Sequence, residues 1–420
     1  MIMQQRNHCY MVTSWLVTGA TGQVGSHVVA ELAKSPENVV VALHSGREDV
    51  NDSTIASSLS FACLVRYEAI NFETHSSEWS PRITSLMEQF QTDVVVHCAA
   101  IANLKVALDN PTLARAVNVT ATSVLAELSV QQRCKAFLHC STDMVFDGNA
   151  HLNAGRSSGS FYKEDDPTRS LSSYGKSKVD AENVIRTVAT EGIATQFVIA
   201  RLPLMFGIVH TPRGARGSSG SFIPQLRQLA RTDQMCCGFT DEYRTPLSLR
   251  SASRLLIEVG KGALRGFDNK ENPVVLHFAG KERVSRYSLL LQMQEALQSI
   301  LINTYTDATC LKLMEALGTT ASAPQLEGDC STCSPTSQLR NMSETVLNAR
   351  IESASRNSFP SAELRPEDLS LSTEKLDLCI ASLGLQNEPV LLLSLADQMS
   401  EALALWVQLL SDTTSLSLQQ

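Results

Sequence analysis

The run Leu16-Val17-Thr18-Gly19-Ala20-Thr21-Gly22-Gln23-Val24-Gly25 constrains this chain more than any other segment. An apolar stretch, Ser14–Val17, leads into the glycines, and helical spacing follows over Gln23–Ala33. Each glycine answers a steric demand. Gly19 takes a tight turn, Gly22 lets backbone approach a pyrophosphate, and Gly25 lets the helix pack close to the sheet. A helix starting near Gly22 turns unpaired N–H groups and its positive dipole end toward phosphate. A bare βα turn is the alternative, and the strand before and helix after favour the binding reading.

Similar alternation continues. Val39–Leu43, Asp93–Cys98, Ala136–Cys140 and Gln196–Ala200 read as strands, with helices at Ser85–Phe90, Leu113–Leu128 and Ser177–Val188. These strands lack polar alternation, which predicts a parallel sheet covered on both faces. The expected fold class is therefore α/β, a Rossmann-like doubly wound parallel sheet with a smaller α+β substrate-binding lobe. The expected division is a dinucleotide-binding domain at 14–200, the lobe at 201–303, and a low-complexity insertion at 304–361 rich in Ser, Thr, Asn and Ala. Residues 362–420 then return to the lobe and end in an apolar helical tail. Within the lobe, helices are expected at Phe222–Ala230, Ser251–Val259 and Ser285–Leu297, and a strand at Val274–Phe278. One helix, Leu311–Leu317, is expected inside the insertion.

Charge and composition exclude other classes. The 420 residues carry 43 acids against 35 bases, a net −8, without the basic footprint of a nucleic-acid binder. No apolar run approaches the roughly 20 residues that cross a bilayer, and the first residues lack a signal-peptide pattern. Eleven unevenly placed cysteines make no disulfide framework, and Cys63, Cys98 and Cys140 read as small buried hydrophobes. The expectation is a soluble cytoplasmic protein with reduced thiols, needing neither membrane nor nucleic acid.

Cofactor choice is read after the second strand, where a free ribose 2′-OH meets an acid and a 2′-phosphate needs a cation. Here the chain reads His44-Ser45-Gly46-Arg47. Arg47, helped by Ser45, favours NADP(H) over NAD(H), with a solvated loop arginine as the alternative. Downstream, Tyr174 and Lys178 stand four apart, on one face if the stretch is helical. A nearby ammonium stabilises phenolate, making Tyr174 a proton donor and acceptor. Thr142, at the end of a strand, is placed to hydrogen-bond a carbonyl oxygen. Such Tyr–Lys pairs also decorate ordinary helices, so the pair gains weight from the glycine run and the Ser141-Thr142-Asp143 strand end.

These motifs, together with His97-Cys98-Ala99-Ala100, Met144-Val145-Phe146-Asp147-Gly148 and Arg201-Leu202-Pro203, occur in the order of the extended short-chain dehydrogenase/reductases, which the chain resembles. The Val-Phe-Asp-Gly ending is similar to the branch of dTDP-4-dehydrorhamnose reductase, which also holds the regulatory β subunit of methionine adenosyltransferase. Arg244-Thr245-Pro246, His277–Gly280, Ser285–Tyr287 and Arg365–Leu371 agree with that branch. The resemblance implies Thr142, Tyr174 and Lys178 as a reductase triad. It places Gly19, Gly22, Gly25, Arg47, Ala99 and Pro203 along the cofactor, with Thr21, Gln23, Val24, Ser45 and Ala100 in the same motifs and Asn71 and Phe72 beside adenine. It implies no metal. It also implies a carbonyl substrate, possibly a nucleotide sugar, with a homodimer or a methionine adenosyltransferase catalytic subunit as partner.

Departures stand beside the matches. Asn71 replaces the usual Asp, Ile101–Lys105 replaces a polar Asp-containing stretch, and Met144 replaces a Tyr. The last two weaken the deoxysugar assignment and leave a non-catalytic regulator as the alternative. Weaker signals remain: Cys330-Ser331-Thr332-Cys333 reads as a chance CxxC over a redox or metal pair, Arg213 and Arg216 as a solvated loop or a grip on a nucleotide diphosphate, and the tail Val390–Leu410 as a helix packed on its own domain over a partner-binding one. His97, His139 and His277 read as core or loop residues, not ligands.

Overall fold

The computed structural model describes residues 12–46, 62–149, 160–190, 192–209, 222–230, 235–266, 271–303, 312–313, 316–317, 350–358, 365–386 and 393–412. Seven strands form one sheet: β1 (Thr13–Thr18), β2 (Asn38–His44), β3 (Leu64–Ala69), β4 (Val94–His97), β5 (Ala136–Thr142), β6 (Gln196–Leu202) and β7 (Val274–His277). Their spatial order is β7-β6-β5-β4-β1-β2-β3, and β1–β2, β2–β3, β1–β4 and β4–β5 pair in parallel. Strand order reverses beside β1, the switch point where such sheets take ligands. The doubly wound α/β expectation is met.

The chain divides into two compact units. One comprises Met1–Cys140, Asp180–Ile199 and Leu256–Val274; the other comprises Ser141–Val179, Ala200–Leu255 and Val275–Gln420. In the first unit, all four residues of β4 are buried, as are Trp15–Thr18 of β1 and Val40–His44 of β2. That continuity follows from cover on both faces. The Trp15 indole is fully enclosed and donates to Asn38 Oδ1 at 3.0 Å, while Asn38 Nδ2 donates to the Leu32 carbonyl at 2.9 Å. A polar side chain at the start of β2 thus ties β1 to the end of helix α1 (Gln23–Leu32).

Helix α2 (Ser76–Phe90) begins nine residues before the predicted Ser85. Pro81 interrupts its sequence pattern, yet Trp79, Ile83, Leu86 and Met87 form one buried stripe. The predicted helix Leu113–Leu128 is also broader in kind. A short α segment, Pro111–Arg115, passes through a π turn, Ala116–Thr120, into α3 (Ala121–Gln131). The helix predicted from Ser177 starts earlier, as α4 (Ser173–Val188), and so includes Tyr174.

The second unit contains α5 (Phe222–Leu229), the first part of α6 (Leu249–Arg265), α7 (Arg286–Asn303), α8 (Glu374–Ser382) and α9 (Leu395–Asp412). Its main core joins Phe206, Phe222 and Leu226 to Leu289, Met293 and Leu297 of α7. The tail helix α9 adds Met399, Leu403 and Trp406 to that core, so its apolar face is already used inside this unit. Within 304–361, Leu313 and Leu317 are helical and fully buried, and Ile351–Ala354 is a strand parallel to Cys236–Phe239. Nothing in the composition announced that strand, because its stability comes from a partner more than a hundred residues away.

A smaller core explains the Val-Phe-Asp-Gly motif. Phe146 stacks on Tyr162 with ring centres 4.0 Å apart, and Leu369 and Leu371 complete the cluster. The Tyr162 hydroxyl donates to Asp147 Oδ1 at 2.7 Å. Burial and the adjacent carboxylate push that phenol above its ordinary range. Tyr162 N–H donates to the Ser370 carbonyl, and Ser372 N–H donates to the Tyr162 carbonyl. The returning segment therefore belongs to this unit by backbone pairing as well as by packing. Among the described residues no helix is long and apolar enough to cross a membrane.

Trp406 is 0% exposed, so Trp406→Ala should open a cavity in the main core of this unit and cost about 3–5 kcal/mol. Denaturant unfolding checks this. An unchanged midpoint would show that α9 does not contribute to the unit's stability.

Candidate active site

In the first unit, the strand–turn–helix at β1–α1 leaves no room for side chains. Gly19 has φ +63°, in the left-handed region, and a Cβ there would lie 2.8 Å from the Ala99 nitrogen. A Cβ on Gly25 would lie 2.2 Å from the Gly19 carbonyl oxygen. Gly22 is the N-cap of α1, makes no side-chain capping bond, and the first turn holds no acid. An uncapped, acid-free helix start behind a glycine turn offers backbone donors to an anion. This arrangement fits the diphosphate of a dinucleotide.

The floor beside that turn is fixed by His97. Thr122 Oγ1 donates to the Asn118 carbonyl at 2.7 Å, so it accepts from His97 Nε2 at 3.0 Å. His97 Nδ1 is then the acceptor for the Thr18 hydroxyl at 2.7 Å. Thr18 Oγ1 in turn accepts from the Ala99 N–H at 3.1 Å. Asn118 continues the chain, accepting from Ile101 N–H at 2.7 Å and donating to the Ile101 carbonyl at 3.2 Å. One consistent set of donors thus connects β1, β4 and the π turn, and it sets the path of Cys98–Ile101. His97 is a core residue, as the sequence indicated, and Asn118 is a framework residue that the sequence reading missed. Its one signal was an amide inside the otherwise apolar run Ala116–Val119.

Other residues singled out in the sequence fall as follows. Thr21, Gln23 and Val24 are half-buried at the turn and first helical residues, and Ala99 and Ala100 are half-buried just beyond β4. Pro203 is buried just past β6. Ser45 is exposed after β2, whereas Arg47 lies outside the described residues, as do Arg213, Arg216, Cys330 and Cys333. Asn71 is exposed and accepts from Glu73 N–H at 3.0 Å. Phe72 is buried edge-on to Trp79, with ring centres 4.9 Å apart. The stretch Ile101–Lys105 runs into a short helix, Leu104–Asp109, capped by Asn103, whose side chain accepts from Val106 N–H. No cluster of three or more metal-ligating side chains occurs among the described residues.

The second unit holds Thr142, Tyr174 and Lys178. Thr142 ends β5 and is buried, Tyr174 is half-buried in the first turn of α4, and Lys178 follows one turn later, 1% exposed. Tyr174 and Lys178 therefore share a helix face. Gly175 joins the two segments. A Cβ there would lie 2.2 Å from the Met144 carbonyl oxygen and 2.0 Å from Ser170 Oγ. Only hydrogen at this position lets the start of α4 rest on the backbone turn that follows Thr142.

Thr142 Oγ1 accepts from Met144 N–H at 3.2 Å and donates to Asp143 Oδ1 at 3.1 Å. Asp143 is buried and lies 3.8 Å from Arg244 Nε. Arg244 is itself buried, 3.4 Å from Glu242, and donates to the Tyr243 and Pro366 carbonyls. Desolvation dominates, so the Asp143 carboxyl is pushed up to about 6 despite Arg244 and the Thr142 bond, which pull it down. Neither Asp143 nor Arg244 stood out as a participant in the sequence, since burial of a charge is invisible there.

The sign of this shift makes a prediction. A carboxyl held above its ordinary 3.8 stabilises the fold below that value and loses the contribution as pH rises through about 6. Asp143→Asn removes the titration. Relative to the native chain, the variant should gain on the order of 2–3 kcal/mol between about pH 4 and pH 7. Denaturant unfolding at the two pH values checks it, and parallel pH profiles would show that Asp143 does not titrate in this range.

Comparison with known proteins adds independent findings. The family model described as the RmlD substrate binding domain matches residues 13–301. A probable low-salt glycan biosynthesis reductase, Agl14, of Haloferax volcanii is 28% identical over 255 residues, 60% of this chain and 71% of that protein. The dTDP-4-dehydrorhamnose reductase of Aggregatibacter actinomycetemcomitans is 25% identical over 70% of this chain and 84% of its own. Methionine adenosyltransferase 2 subunit beta of Xenopus laevis is 24% identical over 67% and 71%. Among solved structures, dTDP-4-dehydrorhamnose reductase of Bacillus anthracis in complex with NADP superposes with a TM-score of 0.57 at 12% identity, covering 93% of this chain and 99% of that one. A UDP-N-acetylglucosamine 4-epimerase from Methanobrevibacter ruminantium gives 0.62 at 13% identity, covering 94% and 99%. The solved structures share its fold, and the family match over more than half of the chain shows that it belongs to the RmlD substrate binding domain family.

Proposed function

We propose that this protein is an NADP(H)-dependent reductase acting on the ketone of a nucleotide-linked sugar or a related carbonyl compound. The observation that carries the reading is the seating of Gly175 on the Met144 backbone, which brings the helix of Tyr174 and Lys178 onto the turn of Thr142. Family membership and the named reductases among the relatives support it. NADP is bound in the Bacillus anthracis reductase structure, and the Ser45–Arg47 sequence supports the phosphorylated dinucleotide here. Residues 19–25 would hold the diphosphate, with Ala99 and Pro203 alongside. Asn71 and Phe72 would lie toward adenine, and NAD(H) is the less favoured cofactor. Cytoplasmic placement and a homodimer belong to the same proposal.

The reduced nicotinamide supplies the hydride. Tyr174 donates the proton that the ketone oxygen acquires, and Lys178, one helical turn away, stabilises the phenolate left behind. Thr142 shares the developing negative charge on that oxygen by donating its hydroxyl hydrogen. In the structure that hydrogen is directed at Asp143. A protonated Asp143 would donate to Thr142 Oγ1 instead and leave the threonine's own hydrogen for the substrate.

The weaker reading is a non-catalytic regulatory subunit, favoured by the similarity to methionine adenosyltransferase 2 subunit beta and by the atypical Ile101–Lys105 and Met144. NADPH oxidation by the purified protein across a panel of nucleotide-linked ketosugars separates the two. Turnover supports the reductase. No turnover, with stoichiometric capture of a methionine adenosyltransferase, supports the regulator. Tyr174→Phe should lower kcat by about 10²-fold or more while NADPH affinity stays unchanged. Gly175→Ala should lower kcat comparably by lifting α4 off its seat. An unaltered kcat in Tyr174→Phe rejects the mechanism.

A further inference from the structure

Cys98 and Cys140 stand at the ligand-binding ends of β4 and β5. Register pairs His97 with His139, so the next residues, Cys98 and Cys140, lie opposite each other with side chains on the same face. Their sulfurs are 3.5 Å apart. Strands about 4.8 Å apart fall within the disulfide range of roughly 4.4–6.8 Å between Cα atoms, and bonding needs the sulfurs to close by roughly 1.5 Å. Cys98 is half-buried and Cys140 buried, which gives an oxidant access to one sulfur and shelters the other.

Several other cysteines lack this chemistry. Burial pushes the Cys134 thiol up to about 12 and the Cys379 thiol up to about 11, and it also raises Cys63 and Cys236, which starves them of thiolate at neutral pH.

We propose that Cys98 and Cys140 are a peroxide-sensitive dithiol that closes to an intramolecular disulfide. The Cys98 thiolate attacks one peroxide oxygen. An S–O bond forms, the O–O bond breaks, and hydroxide leaves to take up a proton as water. The Cys140 thiolate then attacks the Cys98 sulfur of this sulfenic acid. An S–S bond forms, the S–O bond breaks, and a second water departs. The two thiols lose two electrons and two protons, and the peroxide is reduced to two waters.

Closure has a local consequence. A Cβ on Gly19 would meet the Cys98 carbonyl carbon at 3.0 Å, and the next N–H, of Ala99, is bonded to Thr18. Pulling the Cys98 sulfur toward β5 therefore loads the backbone on which the glycine turn rests. The disulfide weakens dinucleotide binding; this part rests on the reading of that turn as the cofactor cradle.

The test uses the full-length protein, reduced, freed of reductant and exposed to hydrogen peroxide. Intact mass should fall by two hydrogens, and non-reducing digestion after alkylation should yield a Cys98–Cys140 linked peptide. Cys140→Ser should give a dimedone-trappable sulfenic acid at Cys98, and Cys98→Ser should give no link. Full alkylation of both wild-type thiols after peroxide, or a link between other cysteines, overturns the proposal even if the variants fail to fold. NADPH titration is run on both forms. The oxidised form should bind about threefold or more weakly and recover with thiol reductant. Equal affinity overturns the coupling, whereas a reduced protein that never binds NADPH overturns the cofactor reading and leaves the thiol chemistry standing.

Discussion

No side chain fits between the Gly19 carbonyl and the first turn of α1, and the rest of the first unit is arranged around that close approach. A helix whose backbone touches the strand turn delivers its N-terminus to a fixed point at the switch in strand order. Any residue but glycine at position 25 would push that helix outward. The same physics recurs in the second unit, where Gly175 seats α4 on Met144. Both sets of candidate residues thus rest on backbone meeting backbone, which has no rotamers and little freedom to drift. Such seating places functional groups more firmly than side-chain packing does.

Hydrogen bonding fixes what close approach alone leaves loose. β4 ends at His97, and the residues beyond it have no ladder to follow. The chain Ala99–Thr18–His97–Thr122–Asn118–Ile101 takes over from the sheet at that point. Removing the imidazole would leave the buried Thr18 hydroxyl hydrogen without its acceptor and take from Thr122 Oγ1 its imidazole donor, a loss larger than a single bond would suggest. Both ring nitrogens of this histidine in an apolar strand are engaged by hydroxyls. It serves as a double-ended spacer between two threonines.

The sheet was legible because its strands are buried on both faces and so read as unbroken apolar runs. The glycine turn and the Tyr–Lys spacing were legible because steric need and helical period act within a few residues. Features that depend on distant partners were not. Helix α2 hid its first half behind Pro81, although its buried stripe starts at Trp79. Ile351–Ala354 is a strand because Cys236–Phe239 pairs with it, and Ser- and Thr-rich surroundings give no local hint of that. Asn118 lies in a π turn, whose extra residue shifts the helical phase and turns an amide inward. The candidates Thr142, Tyr174 and Lys178 were chosen on residue type and spacing, and the engagement of Thr142 with a buried Asp143 is not legible that way.

That engagement sets a tension at the centre of the site. Thr142 has one hydrogen, now directed at Asp143, and in the proposed reductase a substrate oxygen would compete for it. Burial raises Asp143 toward neutrality, while Arg244 draws it back toward charge, leaving the carboxyl balanced at about 6. Glu242, which lies within ion-pair distance of Arg244, Arg286 and Arg365, adds its own negative charge and pushes Asp143 further up. Replacing Arg244 by a neutral isostere would move Asp143 further up, and replacing Glu242 would move it down. In the proposed mechanism, which uses the protonated carboxyl, the two substitutions should therefore shift in opposite directions the pH above which activity falls. That is a signature which packing defects, acting on both protonation states alike, do not produce.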